Sequence, residues 1–367
     1  MINKFHLVSG STAALAGLLL ILVPLTAIAD SYAAMERHAF EHEGVEREYF
    51  VHVPPNAAGP LPVVLALHGY SSTATGFQYA HDLNVHADQF GYIVVYPQAT
   101  HFMAEFGSAA AYRATTWNSY GKDQPEPNAG PHCTAESNKY PCPPGCGVCH
   151  PCQWEPCTDD VAFIARVLDE MQTDYATDLG RYYVLGVSSG GIMAIRIACD
   201  LSERFAAAAS IIGLQPPGHA CGPESGLPVM FLMGALDETI RLDGRAGKND
   251  GFLYSTLAES AEKWAKSMQC KSGPLDWSND LATAAGVECT AYSNCQIGGQ
   301  EVVSCIDPSG THMWPAQRPD ALPATCVSPE QYDSMPGQTP CGPRPGDGED
   351  AGMDLVWSFF SKYRRDW

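Results

Sequence analysis

For much of the chain, apolar residues come in short unbroken runs rather than in alternation with polar ones. Leu61 to His68 is nearly continuous and ends in His68-Gly69, Tyr92 to Tyr96 is stopped by Pro97, and Arg181 to Val187 forms a third run. Such runs predict strands covered on both faces by helices. Phe205 to Ile212 and Val229 to Gly234 predict two more strands of the same kind. Between them the apolar period lengthens to that of a helix. A helix-like stretch covers Phe77 to Phe90, and Val161, Ile164, Leu168 and Met171 repeat at helical spacing. Thr158, Asp159 and Asp160 offer that helix a capping hydroxyl and two carboxylates at its start. Ile192 to Leu201 reads as a buried helix, Leu257 to Met268 as another, and Met353, Val356, Trp357 and Phe360 share one face of a last helix.

Strands that alternate with helices predict an α/β fold with a mostly parallel central sheet covered on both sides. Arg47 to Val53 alternates as an edge strand and is broken by Pro54, Pro55 and Asn56. Cys289 to Gln296 and Glu301 to Asp307 flank Gly298 and Gly299, which predicts a hairpin at the late edge. Two segments fit no element. Gly121 to Cys157 is dense in proline and holds Cys133, Cys142, Cys146, Cys149, Cys152 and Cys157, and Pro315 to Asp350 is rich in proline and glycine with Cys326 and Cys341. Both read as long loops held by cross-links rather than by a core.

The 367 residues are 45% hydrophobic and 17% charged, enough apolar material for a large core, which excludes a disordered chain. Lys4, the apolar run Ala13 to Leu25 and the small residues Ala27, Ile28 and Ala29 read as a signal peptide over residues 1–29. Residues 30–367 then form a single catalytic domain with 121–157 as an insertion. The apolar run is shorter than the ~20 residues a spanning helix needs, so no membrane anchor is expected after cleavage, and the location expected is extracellular or periplasmic. Fourteen cysteines, all at or beyond Cys133, suit an oxidising compartment and predict disulfides. The spacing of Cys146, Cys149 and Cys152, with His132 and His150 nearby, would also suit zinc, but the export signal favours disulfides and no metal is expected. A bridge from Cys199 to Cys221 is compatible with their places in the pattern. A formal charge of −20 argues against a nucleic-acid partner, which needs clustered cations.

Gly186-Val187-Ser188-Ser189-Gly190 matches the GxSxG pattern, extended by Gly191. It follows an apolar strand and opens an apolar helix, the setting in which a serine is held on a sharp strand-to-helix turn. Ser188 is therefore the candidate nucleophile, and the backbone N–H of Ser189 a candidate oxyanion donor. On such a fold the acid and then the histidine follow the serine along the chain. Asp237 lies just beyond the strand ending at Gly234, with Glu238 and Asp243 as competitors. Of twelve histidines only His312 follows both Ser188 and Asp237. His68 ends its strand in a loop where the N–H of Tyr70 or Ser71 could meet a developing negative charge. Trp117 and Trp314 are candidates for a flat substrate pocket, or for framework aromatics. Together these parts predict acyl transfer through an acyl-enzyme, with no cofactor.

In Leu67-His68-Gly69, Trp117-Asn118, Asp159-Asp160-Val161, Gly186 to Gly191, Gly234 to Asp237, Gly310 to Pro315 and Trp357 to Phe360, the chain resembles the extracellular polyhydroxybutyrate depolymerase and feruloyl esterase group of α/β-hydrolases. The resemblance covers most of the mature chain and places the family's serine, aspartate and histidine on Ser188, Asp237 and His312. It implies an ester substrate: a polyester oligomer or an esterified polysaccharide carrying feruloyl or acetyl groups. The cysteine-rich insertion is longer than in plain members of the family. Depolymerases that attack solid polymer carry an added binding domain, and nothing after Tyr363 has the length of one, so soluble oligomers or polysaccharide esters are expected. A serine peptidase on the same fold and a non-catalytic extracellular binding protein are the rival readings. No propeller or cap domain is visible for the first, and no member of the triad is missing as the second would require.

Overall fold

The computed structural model describes residues 35–365 except 56–57, 82, 105–111, 121–129, 138–139, 141, 144–145, 150, 220–225, 249, 297–298 and 315–350. The signal-peptide segment, the Pro315 to Asp350 loop with Cys326 and Cys341, Cys221, His150 and Gly298 thus lie outside the described residues.

Among the described residues ten strands form one sheet. In chain order they are β1 Glu36–His42, β2 Val45–His52, β3 Leu61–Leu67, β4 Ile93–Pro97, β7 Thr177–Val187, β8 Ala207–Ile211, β9 Val229–Gly234, β10 Ser272–Asp276, β11 Glu288–Ser293 and β12 Val302–Asp307. The separate pair β5 His101–Ala104 and β6 Tyr112–Thr115 makes a small hairpin. The order across the large sheet is β1-β2-β4-β3-β7-β8-β9-β12-β11-β10. From β4 to β12 the neighbours are parallel, and at each end two strands run antiparallel.

The unbroken apolar runs have a direct cause. Val63, Leu65 and Leu67 enter one core, while Val64 and Ala66 enter the core on the opposite face. β9 divides likewise, with Val229, Phe231 and Met233 on one side and Met230 and Leu232 on the other. Helices α3 Asp160–Asp174, α4 Ser189–Asp200 and α5 Leu257–Ser267 cover the first face. Helices α1 Ala74–His81, α2 Leu83–Phe90, α6 Asp280–Ala285 and α7 Ala351–Phe360 cover the second. At α5 the Thr256 hydroxyl accepts from the Glu259 N–H at 3.1 Å and the Glu259 carboxylate accepts from the Thr256 N–H at 2.9 Å. This reciprocal cap is worth about 1 kcal/mol.

Several expectations change in detail. The Phe77 to Phe90 stretch is two helices rather than one. Arg47 to Val53 falls in a penultimate strand, because Glu36–His42 pairs along its outer side as the true edge. At the other end the hairpin β11-β12 forms as expected, but β10 lies outside it as the edge. The cap of α3 is the Asp159 carboxylate, which accepts from the Ala162 N–H at 3.0 Å, rather than the Thr158 hydroxyl. Asp160, next to it, is fully buried and pairs with Arg47 at 2.7 Å, while its other oxygen accepts the Asn118 N–H at 2.8 Å. That ion pair ties β2, α3 and the 116–120 loop together, and removing one partner would leave a buried charge uncompensated.

The cysteine-rich insertion is cross-linked by Cys133–Cys152, Cys142–Cys149 and Cys146–Cys157, so its cysteines are bonded to one another and are not thiolate ligands. Cys270–Cys295 and Cys289–Cys305 fasten the late edge. Cys199 is also disulfide-bonded.

Candidate active site

Because β7, β9 and β12 are parallel, the loops that follow them leave from the same edge of the sheet. The loop after β7 turns at Ser188 directly into α4. Ser188 sits at φ 55° and ψ −120°, a backbone conformation that a residue with a side chain occupies only under strain. It is held there by its N–H, which donates to Ile211 O at 2.9 Å, and by its carbonyl, which accepts from the Ile192 N–H at 3.0 Å. The flanking glycines are a steric necessity: a Cβ at Gly186 would run into the Gly190 carbonyl, and one at Gly190 into the Leu67 carbonyl.

The candidate acid and the candidate base are pressed together by their own loops. β9 and β12 are neighbours in register, with Gly234 opposite Asp307. Beyond them Ala235 N–H donates to Asp307 O at 2.9 Å and Leu236 N–H to Gly310 O at 2.8 Å. Gly234 has no room for a side chain, since a Cβ there would lie 2.6 Å from the Gly310 carbonyl carbon. The result is a chain of three side chains. Ser188 Oγ lies 2.9 Å from His312 Nε2, and His312 Nδ1 lies 2.8 Å from Asp237 Oδ2. Asp237 Oδ1 accepts from the N–H groups of Thr239 at 2.8 Å and Ile240 at 3.0 Å, which fixes the carboxylate. Its competitors face elsewhere. Glu238 pairs with Lys248, and Asp243 is held by Arg241 at 3.0 Å and Arg245 at 2.7 Å, so that its carboxyl stays far below the usual carboxylate range.

The 67–71 loop comes close to the serine: a Cβ at Gly69 would sit 3.4 Å from Ser188 Cβ. His68 stitches this loop in place. Its Nδ1–H donates to Gly69 O at 2.9 Å, its Nε2 accepts from the Ala99 N–H at 3.1 Å, and its carbonyl accepts the Trp117 indole N–H at 2.9 Å. Full burial pushes its pKa down to about 4, so it is a neutral structural imidazole. Of the two oxyanion candidates on the loop, Ser71 commits its N–H to Thr115 O at 2.8 Å. Tyr70 lines the cavity beside Ser188 and Ser189.

That cavity, about 200 Å³, is lined by Tyr70, Tyr140, Trp154, Phe252 and Tyr254, by Ile192 and Ile240, and by Asp250, Thr239, Ser188, Ser189 and His312. Trp117 and Trp314, the aromatics singled out in the sequence, are not among them. Both are buried in the framework, Trp117 bonded to His68 and Trp314 packed on His81 and Phe77. Apart from Tyr70, the aromatic walls come instead from the insertion and from the 247–254 loop, which it grips: Thr134 N–H donates to Gly251 O and Leu253 N–H to His132 O, each at 2.9 Å. Neither segment carries a periodic pattern that could have announced this.

Next to Trp154, Glu155 is wholly buried, accepting from the Ser119 hydroxyl and from the Tyr120 N–H at 3.0 Å. Burial pushes its carboxyl up from 4.5 to about 8. A carboxyl whose folded-state pKa is raised stabilises fully below its unfolded value, and the contribution is lost as pH rises through the folded one. Unfolding at a series of pH values should show stability falling between about pH 4.5 and about pH 8 in the native chain. In Glu155→Gln that slope should flatten, with a gain of roughly 2–4 kcal/mol over the native chain at the alkaline end.

The comparisons with known proteins agree with this architecture. No family model matches the chain. Over 305 residues it is 27% identical to a protein of Nocardia uniformis subsp. tsuyamanensis named "Putative esterase NocK", covering 77% of this chain and 76% of that one. It is 25% identical over 167 residues to feruloyl esterase B of Talaromyces stipitatus and 24% identical over 166 residues to acetylxylan esterase A of Emericella nidulans. These two matches cover 46% and 45% of this chain, and 36% and 42% of the fungal proteins. Among solved structures, an acetyl xylan esterase from Aspergillus awamori superposes with a TM-score of 0.50 at 15% identity, over 89% of this chain and 99% of that one. The fold is that of the α/β-hydrolases. The chain is a homologue of carboxylic-ester hydrolases, and the α/β-hydrolase sheet carries its loops as the sequence resemblance implied.

Proposed function

We propose that the protein is a secreted serine carboxylic-ester hydrolase that forms an acyl-enzyme on Ser188 and acts on feruloyl or acetyl esters of polysaccharide. The observation that carries this reading is the line of contacts from Ser188 Oγ through His312 to Asp237, opening on an aromatic cavity. His312 Nε2 takes the proton of Ser188 as its oxygen attacks the ester carbonyl, and Asp237 holds the imidazole and stabilises its cationic form. The backbone N–H groups of Tyr70 and Ser189 receive the oxyanion. His312 returns the proton to the departing alcohol, then activates the water that releases the acid.

The cavity size bears on the substrate. A cavity of ~150 Å³ accepts benzene, so this one takes a single ring or a short acyl group rather than a length of polymer. Its aromatic walls and the names of the relatives favour polysaccharide esters over polyhydroxyalkanoate. Secretion is supported by the leader-like N-terminus and the disulfides, and among the described residues no helix is long and apolar enough to cross a membrane. The test is hydrolysis of methyl ferulate, acetylated xylan and a soluble 3-hydroxybutyrate oligomer by the exported protein. Preference for either of the first two by about tenfold or more in kcat/KM is expected, within the ordinary enzymatic range of ~10⁴–10⁸ M⁻¹s⁻¹. Preference for the oligomer would move the protein to the polyester branch, and inertness on all three and on short-chain esters would end the esterase reading.

A further inference from the structure

The triad accounts for Ser188, His312 and Asp237, but the same cavity holds a carboxylate that the mechanism does not use. Among the described residues that line it, Asp250 is the one acid, set among Tyr70, Tyr140, Trp154, Phe252 and Tyr254. Its loop is closed on itself, with Gly247 N–H donating to Phe252 O at 2.8 Å and Gly251 N–H to Gly247 O at 2.9 Å. Asp250 Oδ1 is engaged by the Phe252 N–H at 3.0 Å. A Cβ at Gly247 would strike that oxygen, so the loop is shaped around the carboxylate. Among the described residues no side chain donates a hydrogen bond to this carboxylate. Burial pushes this carboxyl up, while the Phe252 N–H and the nearby His312 hold it down.

A carboxylate kept in an aromatic pocket pays for its lost hydration unless something that fills the pocket donates to it. We propose that Asp250 is a specificity residue whose Oδ2 accepts a hydrogen bond from a hydroxyl of the bound ester. The insertion then contributes to specificity, because it fixes the Asp250 loop through Thr134 and His132 and so sets the distance between this acceptor and Ser188. A substrate hydroxyl could sit on an aromatic acyl group or on the sugar that carries the ester, and the chemistry at Asp250 is the same for both.

The inference rests on the proposed esterase reading for its substrates, so its test includes a readout that needs no turnover. In the active protein, kcat/KM is compared for methyl 4-hydroxycinnamate against methyl cinnamate, and for an acetylated methyl xyloside against cyclohexyl acetate. A hydrogen bond to a charged acceptor predicts a preference of about 10- to 100-fold for the hydroxylated member of one pair, and that pair names the source of the hydroxyl. In Asp250→Ala the preference should shrink to within about threefold. In Asp250→Asn, whose Oδ1 can still accept the Phe252 N–H and so keep the loop, it should also fall. The same ratios are then read as binding to Ser188→Ala and to Ser188→Ala with Asp250→Ala. If the native protein hydrolyses no ester, the esterase reading fails, and the binding ratios still decide the role of Asp250. Hydroxyl preferences that survive both substitutions, or native ratios near one in both pairs, overturn the inference.

Discussion

Replacing Ser188 with alanine is expected to lower kcat on the preferred ester by about 10⁵- to 10⁶-fold, because the covalent route is lost and only binding and oxyanion stabilisation remain. Substrate binding should change little, since the side chain lost is one hydroxyl among the groups that line the cavity. Ser189→Ala is the informative neighbour. The contribution assigned to Ser189 is its backbone N–H, which alanine keeps, so a loss of no more than about tenfold is expected. Steady-state kinetics of both variants, with near-ultraviolet circular dichroism to show that each is folded, check this directly. Equal losses in the two would remove Ser188 from its assigned role.

Asp237→Asn should cost about 10⁴-fold in kcat while leaving the fold intact. The argument is one of donors and acceptors. Asp237 Oδ1 accepts from two N–H groups, those of Thr239 and Ile240, so an asparagine must place its carbonyl oxygen there. Its NH₂ then faces His312 Nδ1, where the carboxylate had accepted. The imidazole is driven to the tautomer that carries its proton on Nε2, and that nitrogen can no longer take the proton of Ser188. Glu238→Gln and Asp243→Asn are the controls. Glu238 is engaged with the exposed Lys248, and Asp243 with the exposed Arg245 and the half-buried Arg241, and neither is bonded to His312, so kcat should stay within about threefold of the native value, as for ion pairs near the surface whose loss costs little. A large loss in either control with none in Asp237→Asn would reassign the acid.

Much of this arrangement could be read along the chain. The β3, β4, β7 and β9 runs were legible because a strand buried on both faces has no polar side to show, and the GxSxG turn because its glycines answer close backbone contacts, Gly186 within the motif itself and Gly190 against the end of β3. Order along the chain makes His312 the candidate base and the strand end makes Asp237 the candidate acid ahead of Glu238 and Asp243, and the structure places these two side chains 2.8 Å apart. The edges were harder. β10 runs from Ser272 to Asp276 with mostly exposed side chains and a proline, so it has no apolar signature, and β1 alternates too weakly to be separated from β2. The pocket aromatics were not legible for a different reason. Trp117 and Trp314 lie beside conspicuous motifs, but a motif says where the backbone turns, not which side chains meet around the space in front of it. Tyr140, Trp154, Phe252 and Tyr254 come together because disulfides and two backbone hydrogen bonds bring the insertion onto a distant loop. Asp250 was hidden for the same reason.

The most direct test of the proposed triad is covalent labelling by an alkyl p-nitrophenyl phosphonate, read by intact mass and by peptide mapping. The account predicts one phosphonyl group per chain, on the peptide that contains Ser188, with loss of esterase activity in step with labelling. Labelling should be slowed in Asp237→Asn and absent in Ser188→Ala. A label on any other residue, or a fully labelled protein that still hydrolyses its ester, would contradict it.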